Sequence, residues 1–274
     1  MTHGALIFAQ NNSAVNYIKM AEYAASRVSK YLDIPVSLVT DTPELVTTGV
    51  FDKIITKEQT APNWQKTIYD GSTPHVKVDW KNQTRSSAYD LTPYAKTLVI
   101  DSDYIISSSV LKPAFDRDFD LQIYKNSFPL VSWRPTIEFE KISPFSLDFY
   151  WATTFIFTKN KTTESFFNLI DYIKINWDYY RLLYNIYSPV FRNDFAFSIA
   201  IHIMNSHTNS DFAVELPGTM TYITDKDYLV GINGNKMQFL LQKEKTMSEY
   251  IAAKTEGIDV HVMNKLSLLR VINE

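Results

Sequence analysis

The run Leu98-Val99-Ile100-Asp101-Ser102-Asp103-Tyr104 takes an apolar segment directly into two carboxylates spaced i, i+2. At the end of a buried strand such a pair needs compensation, because burying like charges is strongly unfavourable unless a cation stands between or beside them. A hard divalent ion meets that need, with carboxylate oxygens as its natural ligands. The alternative is a turn in which Asp101 and Asp103 cap the backbone that follows, and spacing alone does not choose between the two. The chain contains no cysteine. Thiolate metal sites, thiol nucleophiles and disulfides are therefore excluded, any metal must be held by Asp, Glu, His or Asn, and a reducing, cytoplasmic setting is expected.

Only 7 glycines occur in 274 residues, and neither GxGxxG nor GxxxxGK[ST] is present. That argues against both the dinucleotide fingerprint and the Gly-rich phosphate loop. Lys and Arg number 27 against 30 Asp and Glu, a formal charge of −3, so no global positive field points to nucleic acid. Lys141, Lys159, Lys161, Arg181 and Arg192 could line an anionic groove, but their spacing does not order them on one face. With 45% hydrophobic residues, the chain is long enough to bury roughly three-quarters of its unfolded surface. No apolar run reaches the roughly 18 residues of a membrane helix, and the N-terminus lacks the basic flank and apolar stretch of a secretory signal.

These residues need a scaffold, and the hydrophobic periodicity supplies one. Ala5 to Ala9 reads as a strand, followed by a polar loop and an amphipathic helix with Ser13 as N-cap and Ala14, Ile18, Ala21, Ala25, Val28 and Leu32 on one face. Val36 to Thr40 then runs apolar, which completes a βαβ unit and implies a parallel sheet covered by helices, with ligands at the carboxyl ends of its strands. Lys53 to Thr56 is a short strand, Arg85 to Tyr94 is helical up to Pro93, and Thr97 to Ile100 is the strand that ends in the aspartates. Leu130 to Trp133 and Phe149 to Thr158 read as further strands around a polar and aromatic loop, Arg134 to Asp148. Glu164 to Asp178 and Asp194 to Met204 are helical, with Asn193-Asp194 as an N-cap pair, and Gly231, Gly234 and Gly257 mark turns in the tail. One continuous α/β domain over residues 1–274 with a C-terminal elaboration is the expected architecture. The aromatic stretches from Trp133 to Trp151 and from Trp177 to Tyr187 are expected mainly in the core, as is Tyr17.

The stretch Thr92 to Ile106, TPYAKTLVIDSDYII, resembles the retaining GT-A glycosyltransferases, especially glycosyltransferase family 8 and its glycogenin-like members. Three further features fall in the family's order: the opening strand and loop ALIFAQNN, a basic residue at Arg85, and the C-terminal Val260-His261-Val262-Met263-Asn264-Lys265. The resemblance implies a GT-A (Rossmann-like) mixed, mainly parallel sheet, with residues 1–105 as the nucleotide-binding half and 106–274 as the acceptor-side half. It implies that Asp101, Asp103 and His261 hold Mn²⁺ or Mg²⁺ on the diphosphate of a nucleotide-sugar, a uridine one for preference. Arg85 and Lys265 would contact the donor phosphates, Ser102 the ribose, and Ala9, Gln10 and Asn11 the base. Without the resemblance, His261 between two valines reads as an ordinary structural histidine. Asp194 matches the family's sugar-contacting Asp, but Phe195 replaces its Gln, and Ala152-Thr153-Thr154 departs from its Asn-x-Gly-like element, so the donor sugar is not legible.

The function expected from the whole is metal-dependent transfer of a hexosyl or pentosyl group from a UDP-sugar to an acceptor hydroxyl, with retention. In style the chain resembles stand-alone bacterial or phage-encoded transferases, which makes a hydroxymethylated pyrimidine in DNA one acceptor to test beside a glycan or protein hydroxyl; the host cytoplasm would be the setting of a phage enzyme. Two rivals stand. A sugar-1-phosphate nucleotidyltransferase also uses strand-end aspartates, but it wants a glycine and a cation after the first strand, where AQNNSAVNY has neither. A non-catalytic nucleotide-sugar-binding module would keep the fold without the turnover.

Overall fold

The structure, a computed structural model, describes residues 2–58, 65–71, 75–81, 85–131, 139–143, 147–208, 210–243 and 249–273. Its centre is a seven-stranded sheet in the order β11 (Ala213–Val214), β8 (Leu121–Tyr124), β10 (Trp151–Thr158), β6 (Lys96–Ile100), β1 (His3–Phe8), β2 (Val36–Thr40) and β3 (Lys53–Thr56). Only β10 runs against the rest. Strands β2 and β6 are buried at every position and β1 at all but its first, as strands covered on both faces must be. This is a mixed α/β architecture with a mainly parallel sheet flanked by helices, as the sequence pattern predicts.

Helix α1 (Tyr17–Leu32) crosses from β1 to β2. Its N-cap is Asn16, whose side chain accepts from the Lys19 amide, and not Ser13. The preceding turn is occupied by Asn12, whose carboxamide oxygen accepts from the Ala14 and Val15 amides, so the helix cannot start earlier. Helix α2 (Ala88–Leu91) is a single turn after a short 3₁₀ segment at Arg85 to Ser87. Helices α3 (Lys161–Ile175), α4 (Trp177–Leu183) and α5 (Asn193–Met204) follow β10, and α3 and α5 pack on one another. A break at Asn176 divides the helical stretch that periodicity reads as one. Trp177 and Tyr180 enter the core, whereas Tyr179, Leu182, Leu183 and Tyr187 stay exposed.

Three smaller sheets complete the architecture. One has the order β7 (Tyr104–Ile105), β16 (Val260–Val262), β12 (Met220–Ile223) and β9 (Ser127–Pro129). The strand expected at Leu130 to Trp133 thus lies earlier, ending at Pro129, and Trp133 itself is outside the described residues. In a meander of β13 (Tyr228–Asn233), β14 (Lys236–Gln242) and β15 (Tyr250–Glu256), Gly234 lies in the turn from β13 to β14 and Gly257 follows β15, both with positive φ, while Gly231 sits within β13 at a register shift. Finally β4 (Gln65–Tyr69) and β5 (His75–Asp79) form a hairpin, and α6 (Lys265–Asn273) closes the chain against β13. No described helix is long and apolar enough to cross a membrane.

Candidate functional site

The two aspartates lie where β6 leaves the central sheet. The Tyr104 amide donates to the Asp101 carbonyl at 3.1 Å, which closes a tight turn around buried Ser102 and sends the chain into β7. Strand β7 pairs antiparallel with β16, with His261 opposite Tyr104, and the Val262 amide donates to the Asp103 carbonyl at 2.8 Å. This ladder brings the histidine to the aspartates across more than half the chain. One ligand atom each from Asp101, Asp103 and His261 lie within 4.8 Å of one another, and Asp103 and His261 are buried. Two carboxylates and an imidazole on that scale fit a hard or borderline divalent ion such as Mg²⁺ or Mn²⁺. His261 Nε2 is 3.4 Å from Asp103 Oδ1, its Nδ1 has no hydrogen-bond partner among the described residues, and Trp151 meets the imidazole edge-on at 6.1 Å.

Lys265 opens α6 three residues beyond β16 and places Nζ 2.7 Å from Asp103 Oδ2. Asn264 caps that helix, accepting from the Ser267 amide at 2.9 Å, and so fixes where the lysine emerges. Burial alone would raise the Asp103 carboxyl, but the Lys265 ammonium and His261 beside it hold it well below the usual carboxylate range. Burial likewise works against a charged Lys265, yet Asp103 holds its pKa well above the usual lysine value. Each group keeps the other ionised.

Arg85 pairs with Asp101 and also donates to the Ala152 carbonyl. The Ala152 amide in turn donates to Asp194 Oδ1 at 3.0 Å, and the Thr153 carbonyl accepts from the Asp101 amide at 2.9 Å. This backbone is turned toward the site because the pairing of β10 with β8 slips between Trp151 and Phe155, a bulge of the kind that re-aims a strand beside a site. Ala152-Thr153-Thr154, whose side chains match no family element, contributes main-chain groups here. Asp194 is not part of an N-cap pair: Arg192 holds the N-cap position of α5 without a side-chain bond, and Asp194 in the first turn points across to Ala152. Its other oxygen takes Arg192 at 3.0 Å.

The loop leaving β1 reaches the same end of the sheet. The Ala9 amide is committed to the Val39 carbonyl, and Asn11 Oδ1 accepts from the Ile18 amide at 3.0 Å, so the Asn11 oxygen serves α1. Gln10 is different: its side chain is 4% exposed, and neither its nitrogen nor its oxygen has a partner among the described residues. Tyr17 is half-buried and packs on both apolar clusters, and its hydroxyl stands in the field of Lys265, Asp103 and Asp101. It is a wall of the site as well as of the core.

Beside Arg192 a cavity of about 540 Å³ opens, lined by Phe139, Ile142, Ile186, Tyr187 and Phe195 among others. It takes in residues 139–143 of the loop expected to meet the acceptor; residues 134–138 and 144–146 of that loop lie outside the described residues. Of the scattered cations, Lys141 pairs with Asp148, Arg181 with Asp178 and Arg192 with Asp194, while Lys159 lies over the Tyr89 ring. Lys141 and Arg192 both line this cavity, each already paired with an aspartate.

Lys66 and Asp225 also stand in this electrostatic neighbourhood, and the sequence reading overlooked both. The available signal was the β-branched run on either side of Gly71, which marks a hairpin but not its destination.

The sequence matches no protein-family model and no curated protein. Among solved structures, the chain is similar to the glycosyltransferase GlyE of Streptococcus pneumoniae TIGR4, at 15% identity and a TM-score of 0.42 over 79% of this chain and 45% of that one. It is also similar to the galactosyltransferase LgtC in complex with donor and acceptor sugar analogs, at 13% identity and a TM-score of 0.47 over 77% of this chain and 72% of that one. The chain thus spans less than half of the GlyE chain. At this level the similarity carries no residue role to the present chain.

Proposed function

We propose that the protein is a metal-dependent glycosyltransferase of GT-A type that moves a sugar from a nucleotide-diphosphate donor, a uridine one, to an acceptor hydroxyl. The observation that carries the reading is the convergence of Asp101, Asp103, His261 and Lys265 in one cluster at the carboxyl end of the central sheet, from two regions remote in sequence. Asp101, Asp103 and His261 would hold the ion, which when bound supplies positive charge for the diphosphate oxygens. Lys265 and Arg85 add positive charge at the same end, placed to stabilise negative charge that develops as the glycosidic bond breaks. Gln10 supports a nucleotide: a buried carboxamide with both ends unsatisfied is the kind of group a base edge completes. Asp194, fixed by Ala152 and Arg192, is positioned to orient sugar hydroxyls, and Ser102 lies in the turn where a ribose would rest.

Retention and the single-domain organisation are part of this reading through the family resemblance. The cavity beside Arg192 is the proposed acceptor side; its aromatic lining suits a sugar ring, and no observation favours DNA over a glycan or protein hydroxyl. The test is hydrolysis of UDP-sugars by the purified protein with Mn²⁺, preceded by a thermal-shift screen of donors, since a ligand of the folded state raises its melting temperature by mass action. Turnover abolished by Asp103→Asn is the expected result. Absence of both binding and turnover across common UDP-sugars would refute the reading, and binding without turnover would favour the non-catalytic module.

A further inference from the structure

The hairpin β4–β5 places an unexpected group over the site. Lys66 stands opposite Val78 in the ladder and two residues before Ile68. Directly opposed residues share a face of a sheet, as do residues i and i+2, so Lys66 projects on the face that carries Val78 and Ile68. Both are buried in the apolar cluster that also contains Val260, Val262 and Leu268. Lys66 therefore projects on the face of the hairpin turned toward the molecule: solvent reaches it, although protein crowds it closely.

The hairpin is pinned to the elements that carry the donor side. The Gly71 amide donates to the Asp225 carbonyl at 3.0 Å, and the Tyr228 hydroxyl donates to the Asp70 carbonyl at 2.9 Å. The Asp70 carboxylate takes Arg270 at 2.7 and 2.8 Å and Asn264, the residue before Lys265, at 3.3 Å. On the other strand the Asp79 carbonyl accepts from Asn12, on the loop leaving β1. Gly71 has φ +78°, and a Cβ there would collide with the Tyr228 ring, so this docking requires glycine.

The charges that act on Lys66 are those of Lys265, Arg192, Asp103 and Asp225. Among the described residues none forms an ion pair with it, while Asp101 already has Arg85 and Asp103 has Lys265. Asp225 acts on Lys66 through space without forming an ion pair with it. A lysine crowded by two other cations is unfavourable in the free protein and favourable once an anion occupies the space between them. The donor diphosphate is the anion that the neighbouring residues are arranged to receive.

We propose that Lys66 is a phosphate-binding residue of the donor site, delivered by the β4–β5 hairpin and acting with Lys265 and Arg85 on the diphosphate. The inference rests on the glycosyltransferase reading above. Its ammonium would neutralise diphosphate charge left uncompensated because the aspartates offset much of the positive charge of the ion.

Calorimetric titration of UDP in the presence of Mn²⁺ tests it on the wild type, Lys66→Met, which keeps the apolar stem and loses the charge, and Lys66→Arg. The expected result is weaker UDP binding in Lys66→Met, on the order of tenfold or more, as for loss of a charged hydrogen bond. Lys66→Arg should retain most of the affinity, and both variants should melt near the wild-type temperature. Wild-type affinity in Lys66→Met, or an equal loss in both variants, overturns the inference while leaving the donor reading intact. Failure of the wild type to bind UDP with Mn²⁺ overturns the donor reading and this inference together.

Discussion

Asp103 stands in the turn before β7, His261 on β16 and Lys265 at the start of α6, with the Asp103 turn and β7 hydrogen-bonded to β16, whereas the cavity beside Arg192 is walled by loop residues on one side and the α4–α5 connection on the other. At the first end Asp103 and His261 are buried and Lys265 partly so, with Asp103 paired to Lys265, so a shift of either strand would leave an unpaired charge inside the protein. At the second end Tyr187 is 88% exposed, and the aromatic and aliphatic side chains of the lining are interspersed with polar and charged ones, among them Glu140, Lys141, Asn185 and Arg192. On the proposed reading, phosphate and metal chemistry tolerates little variation in geometry, which favours a site fixed by ladders, and recognition of one acceptor among many would be served by loops on that scaffold.

The contrast can be broken most sharply at Asp103. Asp103→Asn should lower UDP-sugar hydrolysis on the order of 10² or more, and it should also leave Lys265 without its partner; an activity within a few fold of wild type would mean that the cluster is structural. His261→Ala comes next, with Mn²⁺ affinity in direct titration expected to fall by at least about tenfold while the melting temperature of the metal-free protein changes less. Unchanged Mn²⁺ binding would remove His261 from the site.

A pH titration sharpens the electrostatic half of the comparison. Crowding by protein, with Lys265 and Arg192 nearby and against the pull of Asp103 and Asp225, lowers the Lys66 pKa to about 8. A bound phosphate favours the charged form, so UDP affinity measured with Mg²⁺ should be full below that pH and decline as pH rises through it. Lys265, held well above the usual lysine value by Asp103, stays charged throughout. In Lys66→Met the decline should disappear. The smallest effect is expected at the loop-walled end: Tyr187→Ala should raise the KM for an acceptor by about threefold, the size of one exposed aromatic contact, with UDP affinity as in the wild type.

Much of the scaffold was legible. The βαβ unit from β1 to β2, the strand ending in Asp101, and helices α3 and α5 follow from apolar periodicity, because a strand buried on both faces and a helix buried on one impose patterns that sequence preserves. Boundaries were less so. Asn12 and Asn16 displaced Ser13 as the start of α1, since several neighbouring residues could cap and only the loop's course selects among them. Asp194 read as a capping residue because its position at a helix start suggests one; its true partner, the Ala152 amide, is set by a bulge in another strand.

By itself the sequence narrowed the chemistry: without cysteine and without a glycine-rich loop, any phosphate would have to be managed by a metal held on carboxylates, and Asp101-Ser102-Asp103 at a strand end is the pair suited to hold one. Tertiary structure alone decided which distant groups join that pair. The pairing of β7 with β16 brought His261, the cap at Asn264 aimed Lys265, and a hairpin with no motif of its own carried Lys66 into the same electrostatic neighbourhood. A ladder hydrogen bond between residues far apart in the chain leaves no local pattern in either segment, and it is such bonds that assemble the site.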